Sequence, residues 1–274
     1  MPRRTSPFPK PRRSRAPRVI AVAASSLAAA GGIAAWANYL SRRQHHWRGR
    51  LSDAIPIHSS YWRDHAAKPA RENELLYVAL GDSAAQGIGA SRPSHGYVGF
   101  LFRHLRERTG RPVRVINLAV SGARLREALD QQLPRLERIV NGEGGASGRR
   151  PDIVTVAVGA NDMAEFDPAR FRTEIARLLT GVAALAPDAV VADIPSFYFL
   201  PGEKKARAAN RLLRAAADRA GLEVVPLHAL TERQGLWGVT TQFAGDLFHP
   251  NDRGYRVWAA AFVPALDRRL RRAS

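Results

Sequence analysis

The run Leu75-Leu76-Tyr77-Val78-Ala79-Leu80-Gly81-Asp82-Ser83-Ala84-Ala85-Gln86-Gly87 decides how the rest of the chain reads. Six apolar residues in succession fit a strand buried on both faces, as in a parallel sheet. The run stops at Gly81-Asp82-Ser83, and Gly87 follows four residues after the serine. Glycine permits a sharp turn at the strand's carboxyl end, where open α/β sheets carry their sites. A serine on that turn sits where backbone N–H groups point at any anion formed beside it. Ser83 would serve equally well as a helix N-cap, and the three-residue motif alone does not separate the two readings.

Downstream, strand-like and helix-like patterns alternate. Val113–Val120, Ile153–Val158, Ala189–Ile194 and Leu222–Leu227 read as further strands. Between them, Tyr97, Leu101, Phe102 and Leu105 fall at helical spacing, as do Leu125, Leu129, Leu133, Leu136 and Val140, with Pro134 expected to kink or split the second helix. Asp167-Pro168 reads as a cap followed by proline at the first helical position, Ala206–Arg219 as another helix, and Asn251–Arg271 as a closing one. Strands alternating with helices at this spacing predict a parallel α/β sheet covered on both faces.

Upstream the character changes. The chain has 274 residues and a formal charge of +18, but residues 1–50 contain eleven basic and no acidic side chains. Most of the excess therefore lies outside the part expected to fold. No nucleic-acid-reading motif accompanies it, so no nucleic-acid partner is expected. Residues 1–18 form a proline-containing basic tail. Residues 19–41 carry no charge and contain nine alanines among larger apolar side chains. About 20 helical residues span a bilayer core, so this stretch suffices for a transmembrane anchor, and the heavier basic flank before it puts the amino end inside. Ala35-Trp36-Ala37 also resembles a signal-peptide cleavage site, which would make the protein secreted; the apolar part is longer than the usual ~7–15 residues of such signals. An alanine-rich helix of a soluble domain is the third reading. Residues 42–73 read as a polar linker with at most a short helix, their histidines solvated. Cysteine is absent, which excludes disulfides and a cysteine nucleophile.

Chemistry enters at the strand ends. Ser83, Gly122 and Asn161 each follow an expected strand, and Asp246-Leu247-Phe248-His249-Pro250-Asn251 precedes the last helix. A serine nucleophile needs a base within reach and a third group to orient that base. An Asp three residues before a His can supply both. The developing oxyanion needs donors, for which the N–H of Ser83, the N–H of Gly122 and the amide of Asn161 are the natural set. Singly, each of these residues also suits a turn, a cap or the surface.

Taken together, Gly81-Asp82-Ser83, Ser121-Gly122, Gly159-Ala160-Asn161-Asp162 and Asp246-x-x-His249 resemble the four blocks of the SGNH hydrolases, also called GDSL esterases and lipases, over residues 74–274. That resemblance implies a three-layer α/β/α sandwich with five parallel strands in order 2-1-3-4-5, here preceded by the anchor or signal helix. It implies Ser83 as nucleophile, His249 as base, Asp246 as its orienter, and an oxyanion hole from Ser83, Gly122 and Asn161, with no metal or cofactor. Asp82 and Asp162 would be supporting residues. The expected substrate is a small-molecule, lipid or carbohydrate ester, met by a catalytic domain outside the cytoplasm and tethered to the membrane through residues 19–41. Acyl transfer to a carbohydrate acceptor, or an idle binding module on the same fold, are the alternatives. Ser196–Gly202, Leu236, Trp237 and Phe243 are candidates to line a substrate pocket.

Overall fold

The computed structural model describes residues 38–39, 42, 46–47, 49–143, 149–198 and 202–273. The chain divides into two units, Met1–His46 and Trp47–Ser274, and the account below concerns the second. The expected anchor or signal at 19–41 lies, apart from residues 38 and 39, outside the described residues. Among the described residues, no helix is long and apolar enough to cross a membrane.

Five parallel strands form one sheet: β1 (Leu75–Gly81), β2 (Val113–Asn117), β3 (Ile153–Ala157), β4 (Val190–Ala192) and β5 (Glu223–Val225). Their order is β2-β1-β3-β4-β5, as the family resemblance implied. β1 is buried at every position because side chains alternate between two covered faces. Leu76, Val78 and Leu80 join Val154, Val156, Phe171, Ile175 and Leu178 on one face. Tyr77 and Ala79 point to the other, among Tyr97, Leu101, Tyr255, Phe262 and Leu266. There Tyr97 stacks on Phe262 with ring centroids 5.4 Å apart. Full burial of one such large apolar side chain contributes about 1.5–3 kcal/mol, so these two clusters carry the fold.

The helices are α1 (residues 49–66), α2 (Ser83–Gln86), α3 (Tyr97–Thr109), α4 (Leu125–Glu127), α5 (Leu133–Asn141), α6 (Pro168–Leu185), α7 (Glu203–Arg219), α8 (Leu227–Glu232), α9 (Gly235–Thr241) and α10 (Asp252–Ala273). Strands two to five stop earlier than their apolar runs suggested. β2 ends because the Asn117 side chain accepts from the Ala119 N–H at 3.1 Å and turns the chain. Leu227, expected in β5, instead opens α8.

Pro134 splits the expected helix into α4 and α5 and occupies the first turn of α5, where a missing N–H is harmless. The irregularity lies just before it, in a wide π turn at Ala128–Gln132. That turn brings fully buried Gln132 against the end of β1, where Gly81 N–H donates to its Oε1 at 2.9 Å and its Nε2 donates to Gly81 O at 2.8 Å.

The stretch read as linker contains α1, which packs on the domain. His58 and Trp62 are buried, so the solvated reading of His58 is corrected. Leu51, Ile55, His58 and Trp62 make one helical stripe, but a histidine within it and Ile57 on the outer face, 65% exposed, hide the period.

Gln132→Leu should leave the Gly81 N–H without a partner in a dry interior, a loss of about 1–3 kcal/mol. The measurement is the urea midpoint at unchanged slope. Wild-type stability in the variant would show that the amide pair is dispensable.

Candidate active site

The cap of α2 is not the serine. Asp82, not Ser83, is the N-cap, with its carboxylate accepting from the Ala84 N–H at 2.9 Å. Ser83 is the first helical residue, and its Oγ lies 2.8 Å from His249 Nε2. His249 Nδ1 lies 2.6 Å from Asp246 Oδ2, which assigns the proton on Nδ1 to that carboxylate and leaves Nε2 as the acceptor toward Ser83. The structure thus joins Asp246, His249 and Ser83 in one hydrogen-bonded row, although 166 residues separate the last two.

The Asp246–His249 segment is held tightly. Asp246 Oδ1 accepts from the N–H groups of Phe248 and His249, each at 3.1 Å. Leu247 between them has φ +56°, a left-handed conformation that costs a branched side chain energy and persists only when its surroundings enforce it. Part of that enforcement comes from Asn251, whose Nδ2 donates to Thr241 O at 2.9 Å and Phe243 O at 3.0 Å while its Oδ1 accepts from the Arg253 N–H at 2.9 Å. Gly89 supplies the room: a Cβ there would lie 2.5 Å from Pro250 O and 2.8 Å from His249 Cβ.

α2 is short and buried, so the carbonyls at its end need partners from elsewhere. Asn117 Nδ2 donates to Ala85 O at 2.8 Å. His58 Nδ1 and Trp62 Nε1, both on α1, donate to Gln86 O at 3.0 Å each. Burial pushes His58 below the ordinary imidazole value and so favours the neutral donor, an effect this bond partly offsets. The Gln86 side chain links onward, its Nε2 donating to Ala119 O at 2.9 Å and its Oε1 accepting from Ser121 Oγ at 2.6 Å. The turn that carries Ser83 is thereby fastened to the turn that carries Gly122, whose φ of +79° is the backbone state glycine tolerates best.

Asn161 completes the set brought together. Its Nδ2 donates to Ala123 O at 3.0 Å and makes a longer contact, 3.3 Å, with Asp82 Oδ2. Asp162 Oδ2 accepts from the Leu125 N–H at 3.2 Å and so supports the start of α4. Ser83, Gly122, Asn161 and His249 line one cavity of about 320 Å³. On the other side of His249 lies a tighter space of about 70 Å³, with Phe197, Tyr198, Phe243 and Trp258 in its wall. Two of the expected pocket elements, the Ser196 loop and Phe243, are therefore at the site. Leu236 and Trp237 are 72% and 67% exposed and line neither space.

The carboxylates nearby are shifted in opposite directions. Burial works to raise Asp246, but the bond to His249 and two backbone N–H groups outweigh it and hold its pKa below the ordinary value. Burial wins at Asp82, raised to about 6 despite the Ala84 N–H and His249, and at Asp162, also raised to about 6.

Gln86, Gln132, Asn251 and Gly89 carried no assigned role in the sequence reading. Gln86 lies inside the opening run and Asn251 two residues past His249, so proximity to the motifs was the only available signal.

No curated protein sequence matches the chain. Among solved structures, the fold is similar to LAE5, an alpha/beta hydrolase enzyme from the metagenome of Lake Arreo, at 24% identity over 70% of this chain and 94% of that one, TM-score 0.55. TesA is 23% identical over 71% and 99%, TM-score 0.58. Axe2, an acetylxylan esterase from Geobacillus stearothermophilus, is 17% identical over 70% and 93%, TM-score 0.53. Residues 79–257 match the GDSL-like Lipase/Acylhydrolase family, which is more than half of the chain. With the sheet order, three motif blocks at strand ends and the fourth before the last helix, this chain belongs to the GDSL-like Lipase/Acylhydrolase family and is an ester hydrolase.

Proposed function

We propose that the chain cleaves carboxylic ester or thioester bonds through an acyl-enzyme on Ser83. The observation that carries this reading is the hydrogen-bonded row Asp246–His249–Ser83, which opens on a cavity that Gly122 and Asn161 also line. Ser83 Oγ attacks the ester carbonyl carbon as its proton passes to His249 Nε2. Asp246, charged below the ordinary carboxylate range, steadies the imidazolium that forms. The carbonyl oxygen becomes an oxyanion facing the Ser83 and Gly122 N–H groups and the Asn161 amide. Asn161 exchanges its longer contact with Asp82 for the oxyanion at that moment, a small cost at 3.3 Å. His249 then returns the proton to the departing alcohol or thiol. Water, activated by the same imidazole, releases the acid and restores Ser83.

Solved neighbours include an acetylxylan esterase, Axe2, and a lipase from goat rumen, Lip_vut3. These names support esters of carbohydrate or lipid alcohols as the substrate class. Residues 19–41, uncharged and preceded by seven basic side chains, support a tether that holds the catalytic domain at the outer face of a membrane.

A fluorophosphonate should label Ser83, and the label should vanish in Ser83→Ala. Labelling should fall on acidification, because protonated His249 cannot accept the serine proton. Asp82, raised to about 6, loses its charge on acidification too. Asp82→Asn keeps an N-cap oxygen and separates the two: the acid limb should persist in that variant. Absence of label from the folded wild type would favour the idle module, and turnover only with an added alcohol would favour acyl transfer.

Asn161→Ala should lower kcat by about 10²–10³ with the fold retained, since it removes one donor at a charge that exists mainly in the transition state. An unchanged kcat would remove Asn161 from the oxyanion hole.

Fractionation with protease protection tests the tether. Full-length protein in the membrane fraction, digested from the outside, is the expected result; recovery in the soluble cytoplasm would contradict it.

A further inference from the structure

α1 lies before the range that matches the family, yet it reaches the site. Two contacts fix it there. At its lower part, His58 and Trp62 donate to Gln86 O, beside the nucleophile. Ahead of it, the Trp47 indole lies on the α-carbon of Gly245, so close that a Cβ at that glycine would come within 2.0 Å of Cε2. Gly245 precedes Asp246, so this preceding segment touches the loop of the base as well as the turn of the nucleophile.

Between these two fixings, Leu51 and Ile55 continue the inward stripe of the helix. They are only half-buried, and with Ser52 they line the 320 Å³ cavity that Gly122 and Asn161 also line. An apolar side chain on a fixed helix, aimed at a reaction cavity and incompletely covered, gains further burial from an apolar occupant. The volume falls at the lower end of the ~300–1,000 Å³ usual for ligand pockets, so the wall also limits what enters.

We infer that α1 completes the substrate site: Leu51, Ser52 and Ile55 form the wall that selects esters by the size of the apolar group seated on the oxyanion side. This rests on the hydrolase reading above. The helix outside the family domain acts by contact with substrate, and the residues of the hydrogen-bonded row do the chemistry.

The test uses the full chain and two ester series, p-nitrophenyl esters from acetate to decanoate and alkyl acetates from methyl to octyl. Leu51→Ala and Ile55→Ala should raise kcat/KM for long relative to short members of one series, and Ile55→Trp should lower it. One methylene in an apolar pocket discriminates by about 10–200-fold, so ratios should move by about tenfold or more. Ile57→Ala, on the outer face of the same helix, should keep the wild-type profile. Ile55→Trp adds bulk, so the two directions of substitution cannot both arise from a loosened helix. Profiles equal to that of Ile57→Ala in both series, with Ser83 still labelled by a small fluorophosphonate, would overturn the inference alone. A wild type that takes no label would overturn it together with the hydrolase reading.

Discussion

The buried carboxyl end of β1 is the constraint on which the rest depends. Both faces of that strand are covered, so its terminal polar groups cannot turn to water. Gln132 meets the N–H and C=O of Gly81 from one side. A side chain on Gly81 would collide with Ala157 O at 2.7 Å, so only glycine lets β1 and β3 stay paired to this point. The chain must then leave the sheet at once, and it does so through the Asp82 cap that sets Ser83 at the start of α2.

A short buried helix creates its own demand, because its last carbonyls have no intrahelical partner. Asn117 answers for Ala85, and α1 answers for Gln86. One consequence is mechanical. The serine turn, the Gly122 turn and the N-terminal helix share a single hydrogen-bond network, centred on Gln86. Displacement of any one is felt by the others, since each bond lost would leave a buried polar group unmet.

Asp82 and Asp246 show how environment divides two carboxylates close to one histidine. Asp246 receives three hydrogen bonds, from the ring and from two backbone N–H groups, and stays charged. Asp82 is buried with fewer donors and is raised to about 6. Orienting an imidazole requires the first behaviour, and capping a helix tolerates the second.

Sequence alone determined the sheet class, the strand that leads into Ser83 and the four motif blocks, because buried parallel strands write themselves as continuous apolar runs and turns at their ends demand Gly, Asp, Asn and Ser. The turn alone left Ser83 open between cap and nucleophile, the resemblance implied nucleophile, and neither showed that Asp82 is the cap, since Asp and Ser both suit that position. The sequence allowed a short helix within a linker but missed the packing of α1, whose inner stripe contains His58 and whose outer face shows Ile57. It gave no role to Gln86, Gln132 or Asn251, whose partners lie on other elements or on the far side of a loop. Only the tertiary structure decided these points. A hydrogen bond between Ser83 and His249, or between Trp62 and Gln86, depends on where folding brings elements together, and no local pattern records that distance.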